Sequence, residues 1–194
     1  MAVIRQIHPL WNDRTLEKSI LAENKFFDRS SSYKLFVDLF NRNIPDYFTL
    51  KSLTKGKSVV DISSGNGVAL EIFREQGYEI FGVDYFINES HNYEPFLKSQ
   101  NIKYLLHDCS KLPLPLADKS FDLLTHIGSI HNFPETIWLD ILDEFARIAK
   151  RTIFVLVNNG EEMKNNLDKF LTYDLDGFEL TLTNNRNEFR WDKQ

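Results

Sequence analysis

Hydrophobic positions recur along this chain with two different periods, and the change from one to the other falls near residue 57. Before that point the spacing is helical. Leu16, Ile20 and Leu21 share one face of a helix predicted over 14–27, with Asn12 or Asp13 as its N-cap. After the Ser30-Ser31-Ser32 break, Tyr33, Phe36, Val37 and Phe40 fall at i, i+3, i+4 and i+7 and predict a second helix with an unusually aromatic stripe. Pro45 opens a third, short helix before Gly56 closes the segment.

From Lys57 onward, apolar runs of strand length alternate with amphipathic stretches. Strands are predicted at about 58–62, 79–83, 102–106, 121–126 and 152–157, with helices at about 67–76, 89–99 and 135–149. Such alternation implies βαβ crossovers and a parallel sheet covered on both faces. Asn132 and Pro134 begin the third of these helices, and Ile137, Ile141, Phe145 and Ile148 form its core face. A further helix is predicted at 161–172. Phe178–Thr183 and Glu188–Trp191, joined by Asn184-Asn185-Arg186-Asn187, predict a terminal antiparallel hairpin. The expected architecture is one α/β domain over 1–194. Residues 1–56 form a helical N-terminal cap, and 57–194 a doubly wound, mostly parallel, Rossmann-like sheet of seven strands ending in the antiparallel hairpin. For the aromatic stripe, core packing is weighed against a cap over a ligand cleft in which Tyr33 or Phe27 lines the pocket.

Bulk composition narrows the function classes. With 194 residues, 42% apolar and 26% charged, the chain suits one soluble domain with a sizeable core. The net charge of −5 is uneven: residues 1–57 carry ten Lys/Arg against six Asp/Glu, the remainder thirteen against 22. That balance argues against a nucleic-acid partner, because a long nucleic-acid surface usually needs a strong basic patch. Cys109 is the sole cysteine, so no intrachain disulfide can form, as suits a reducing cytosol. No apolar run reaches the length of a signal peptide core or a membrane span. A cytoplasmic protein without membrane contact is expected; its oligomeric state is not legible.

The chemistry concentrates where the first strand ends. Val59-Val60-Asp61-Ile62 runs into Ser63-Ser64-Gly65-Asn66-Gly67 and then the helical Val68 to Gln76. Strand, glycine turn and helix aim loop amides and a helix N-terminus at one spot, as nucleotide binding requires. The second strand ends in Phe81-Gly82-Val83-Asp84-Tyr85. An acid at a strand's carboxyl end can accept hydrogen bonds from both ribose hydroxyls; its bland alternative is a turn or N-cap residue before Asn88. The third strand leads into His107-Asp108-Cys109-Ser110-Lys111-Leu112-Pro113-Leu114-Pro115-Leu116-Ala117-Asp118-Lys119-Ser120-Phe121-Asp122, and the fourth into Thr125-His126-Ile127-Gly128-Ser129-Ile130-His131.

Together these segments resemble the class I S-adenosylmethionine-dependent methyltransferases over roughly residues 57–157. Asp61, Gly65 and Gly67 match the family's Asp-x-Gly-x-Gly-x-Gly motif, with Ser63 where the first glycine is usual. The 108–122 stretch is similar to its Asp-(small)-x-x-Leu-Pro pattern ending in Phe-Asp. The resemblance implies S-adenosylmethionine (SAM) as cofactor and S-adenosylhomocysteine (SAH) as product. It implies a cofactor site of Asp61, Ser63, Gly65, Asn66, Gly67, Asp84, Tyr85, Asp108, Cys109 and His126. Asp84 would bind the ribose, Tyr85 and Phe86 would flank the adenine, and Asp108 and Cys109 would recognise its edge. The prolines stiffen a loop over the adenine, which limits the entropy lost on binding.

His131 matches a histidine frequent in small-molecule members, and His126 would sit at the methionine end. Either is a candidate general base or, alternatively, a structural histidine. Cys109, with no basic partner in view, reads as pocket wall rather than nucleophile. A nicotinamide loop would need a small residue where Leu70 stands and no acid at Asp61. No Asn/Asp-Pro-Pro-Tyr/Phe follows the fourth strand and no Pro-Cys occurs, so the base-methylating routes on nucleic acid lack support. The expected function is methyl transfer to a small molecule. The alternatives are cofactor binding without catalysis, as a sensor or assembly partner, and modification of RNA or protein through the positively charged N-terminal segment.

Overall fold

The computed structural model describes residues 29–48, 57–65, 67–84, 101–157, 167–183 and 187–194. The helices predicted at 14–27 and 89–99, and Phe27, Asn66, Tyr85 and Phe86, lie outside them. The elements are α1 (Arg29–Asn43), a 3-10 turn at Pro45–Tyr47, β1 (Ser58–Ile62), α2 (Val68–Glu75), β2 (Glu79–Asp84), β3 (Lys103–Leu106) and β4 (Phe121–Ile127). They continue with 3-10 turns at Ile130–Asn132 and Glu135–Ile137, α3 (Trp138–Ile148), β5 (Ala149–Leu156), α4 (Leu167–Thr172), β6 (Phe178–Leu182) and β7 (Glu188–Lys193).

Seven strands form one sheet in the order β3-β2-β1-β4-β5-β7-β6. β1 to β5 run parallel, while β7 pairs antiparallel with both β5 and β6. The alternation along each strand divides the core. Val60, Ile62, Leu124, Ile153 and Val155 pack under α3 and α4. Val59, Leu123 and Phe154 pack under α1 and α2. The strand order reverses between β1 and β4, so the connections leaving their carboxyl ends diverge and open a crevice there.

The aromatic stripe of α1 belongs to the second of these layers. Phe40 is completely buried. Its ring lies 4.7 Å from that of Phe73, 5.8 Å from Phe48 and 6.4 Å from Phe154, so helix, turn and sheet share one aromatic cluster. The pocket-lining expectation for Tyr33 is corrected. Its hydroxyl donates to the carboxylate of Glu75, the last residue of α2, whereas the glycine loop lies at that helix's first residue. An eight-residue helix, about 12 Å long, separates the two. Tyr33 therefore stands at the far end of α2 from the loop.

A second difference concerns the start of β5. Helix was expected to continue to residue 149 and strand to start at 152; instead α3 ends at Ile148 and Ala149 already pairs with Phe121. No loop intervenes, because Ala149 itself turns to extended geometry (φ −76°, ψ 137°) and a register shift between Phe121 and Leu123 absorbs the offset. At the same edge Asp122 accepts the backbone N–H groups of Lys57 and Ser58, each at 3.1 Å, and fixes where β1 begins.

Candidate functional site

The loop after β1 folds back because Ser63, Gly65 and Gly67 take positive φ of 60°, 52° and 74°. Left-handed geometry explains why glycine is expected at the Ser63 position. Here a serine adopts it. Ser64 N–H donates to Val83 O at 3.1 Å and Gly67 N–H to Ser64 O at 2.9 Å, so the loop rests on the end of β2. Gly82 allows that approach. A Cβ there would meet Ser64 Oγ at 2.9 Å and a methyl of Leu70 at 3.0 Å, whereas one at Gly65 would meet nothing within 4 Å. The role of Gly82 was missed in the sequence, although a glycine inside a strand signals close approach of another backbone.

Asp84, at the end of β2, accepts the Gly65 N–H at 2.6 Å. The acid expected to bind ribose is thus joined to the glycine loop. Asp61 is nearly inaccessible and accepts the Thr125 hydroxyl at 2.7 Å, which ties β1 to β4 beneath the loop. Burial pushes its carboxyl up to about 7, the charge of Asp84 adds to this, and the Thr125 hydrogen bond opposes it. Because the folded value exceeds the unfolded one, this contribution to stability is complete below about pH 4 and is lost as pH rises through about 7. Between pH 5 and 8 the Tm of the wild type should therefore fall further than that of Asp61→Asn. Equal falls in a thermal melt series would contradict a protonated buried Asp61.

On the other side of β2, His107 N–H donates to Asp84 O at 3.0 Å and carries the chain to Asp108. Asp108 is buried and accepts the Ser110 N–H at 3.0 Å and the Ser110 hydroxyl at 2.7 Å, with Lys111 Nζ 3.8 Å from its other oxygen. Beside it the Cys109 thiol is buried and pushed up to about 12, chiefly by desolvation. It stays protonated at neutral pH, in keeping with a wall residue. The loop that follows is held from α3: Glu144 accepts the Leu114 N–H at 2.6 Å, and Arg147 donates to the carbonyls of Leu114 and Leu116 at 3.0 and 2.8 Å. Neither residue was singled out in the sequence, where an acid and a base three apart on a helix look like a solvated pair.

The two histidines separate sharply. His126 is fully buried, and its Nδ1–H donates to Ile62 O at 2.9 Å. Since that carbonyl can only accept, Nε2 is the acceptor for the Ser129 hydroxyl at 3.2 Å. Burial lowers its pKa to about 4, and the ring packs 5.2 Å from that of Phe145. With both nitrogens engaged, His126 straps β4 to β1 across the crevice; this geometry does not suit proton abstraction. His131, in the turn Ile130–Asn132, is half-buried, and its Nδ1 is buried without a hydrogen-bond partner. Burial holds it below the usual imidazole range, so it too is neutral near pH 7.

Residues 60–156 match a family model described as a methyltransferase domain. Among solved structures, the chain is similar to a Methanococcus maripaludis protein assigned as an S-adenosyl-L-methionine-dependent methyltransferase. The TM-score is 0.62 and the identity 15%, over 93% of this chain and 92% of that one. It is also similar to the magnesium protoporphyrin IX methyltransferase of Synechocystis PCC 6803. With SAH bound, that structure gives a TM-score of 0.63 at 11% identity over 94% and 95% of the two chains. With SAM bound, it gives 0.52 at 12% over 95% and 85%. No curated protein matches the sequence.

Proposed function

The chain belongs to the methyltransferase-domain family and is a SAM-dependent enzyme, and we propose that it methylates a small molecule, with His131 as the base. The observation that carries the cofactor half is the joined pair of Asp84 and the glycine loop. A strand-end carboxylate bonded to the amide of an uncrowded Gly65 supports this reading, and the residues present fit a nucleoside. Asp84 would accept the ribose hydroxyls, while Asp108 and Cys109 would face the adenine. Asp61 and His126 support the site from below by fastening β1 to β4.

When bound, SAM supplies a sulfonium methyl already activated for displacement, so the protein's principal task is alignment. A neutral imidazole at His131 would take a proton from the acceptor as it attacks. The small-molecule reading is supported by the acidic charge of the region beyond residue 57 and by the likeness to a porphyrin methyltransferase.

Incubation with methyl-labelled SAM and a cell extract tests the acceptor class. Label should appear in the dialysable fraction, and label only in RNA or protein would overturn the small-molecule reading. His131→Ala should lower kcat by about 100-fold, the ordinary scale of general-base catalysis, while SAM affinity changes less than threefold. Wild-type activity should be level near neutral pH and decline only on the acid side of the usual imidazole range. Turnover of the variant within a few-fold of wild type would remove His131 as base.

A further inference from the structure

Arg147 sits in the last turn of α3 and Glu144 one turn before it. The guanidinium uses all five of its N–H donors. Nε donates to Glu144 Oε2 at 2.8 Å. Nη2 donates to Glu144 Oε1 at 2.6 Å and Leu114 O at 3.0 Å. Nη1 donates to Leu116 O at 2.8 Å and to the Asp118 carboxylate. Glu144, 7% exposed, adds the Leu114 N–H. Pro113 and Pro115 have no N–H of their own, so this pair supplies much of the hydrogen bonding that fixes the loop's backbone. The Leu114 side chain is buried in the same cluster as Cys109 and Val83, so the gripped loop and the wall of the candidate adenine site share one core.

We propose that Glu144 and Arg147 are positioning residues that set affinity for the adenosine half of the cofactor by locking the 112–118 loop. This rests on the methyltransferase reading above. Bound, the loop is already ordered, and less entropy is lost when the adenine docks. The planar fork is essential, because lysine offers three donors on one atom and cannot span two carbonyls and two carboxylates.

The test is calorimetric titration of wild type, Arg147→Lys and Glu144→Gln with SAM and SAH, together with steady-state kinetics and hydrogen exchange. For Arg147→Lys, the Kd for both ligands should rise about tenfold. Its kcat at saturating SAM should stay within twofold of wild type, and the Leu114 and Leu116 amides should exchange faster. Asp118→Asn, at an exposed rim residue, is the variant least able to disturb folding and should shift Kd in the same direction by a smaller factor. A lowered Tm with Kd unchanged, or a fall in kcat with Kd unchanged, would make the clamp purely structural and overturn the proposal. No binding of SAM or SAH by folded wild type would instead overturn the cofactor reading, and with it the clamp. The wild-type titration separates the two failures.

Discussion

Asp84→Ala should lose at least about 100-fold in affinity for both SAM and SAH, measured by calorimetry on protein shown to be folded. Hydrogen bonds to a charged acceptor contribute about 1.5–3 kcal/mol each, and a ribose offers two hydroxyls to one carboxylate. The same substitution takes away the acceptor of the Gly65 N–H, so the glycine loop loses its tether to β2 along with the ligand contact. Both effects weaken binding. Asp84→Asn keeps one oxygen acceptor and should fall between wild type and alanine. Binding by the alanine variant within threefold of wild type would show that Asp84 serves the loop alone.

The largest loss of stability should come from Arg190→Ala. Arg190 donates from Nη1 to Asn43 O at 3.0 Å, from Nη1 and Nη2 to Asp46 at 3.0 and 3.1 Å, and from Nε and Nη2 to Asp192 at 2.7 and 3.0 Å. Around it, Tyr47 OH donates to Thr152 and Thr152 to Asp192, at 2.8 and 2.7 Å, so the 3-10 turn, β5 and β7 meet in one polar network. Its side chain is only 12% exposed, against 19% for Asp46 and 32% for Asp192. Removing the cation leaves two partly buried carboxylates facing each other. A fully buried broken pair costs about 3–5 kcal/mol, and the residual exposure here reduces this to about 2–3 kcal/mol. The Tm should drop by about 5–10 °C, and adding Asp46→Asn should restore part of it. A melt unchanged within a degree would show the network to be dispensable.

What the sequence revealed follows from which forces act locally. Strand, glycine turn and helix at 58–75 were legible because apolar runs and positive-φ positions are properties of neighbouring residues, and the alternation beyond Lys57 implied the parallel sheet for the same reason. The helix around Phe36 and Phe40 was legible from its period, but a period gives a face and not a partner. Only the fold shows that the face meets Phe73 and Phe154, and that Tyr33 lies away from the loop. His126 and His131 look alike in a sequence; burial and two hydrogen bonds make one a strap and leave the other with an unpaired nitrogen. Glu144 and Arg147 were passed over because their partners are backbone atoms some thirty residues away, which no spacing rule encodes.

The Arg190 network also bears on how the protein is made. Asp46 and Arg190 are separated by 144 residues. At a synthesis rate of about 5–20 residues per second, one is therefore made roughly 7–30 s before the other. Until β7 emerges from the ribosome, the nascent α1 can pack its aromatic face on α2 but has no cation to receive Asp46. Final docking of this segment is thus a late event in biogenesis, and ribosome-stalled chains ending before Arg190 should expose residues 43–48 to added protease.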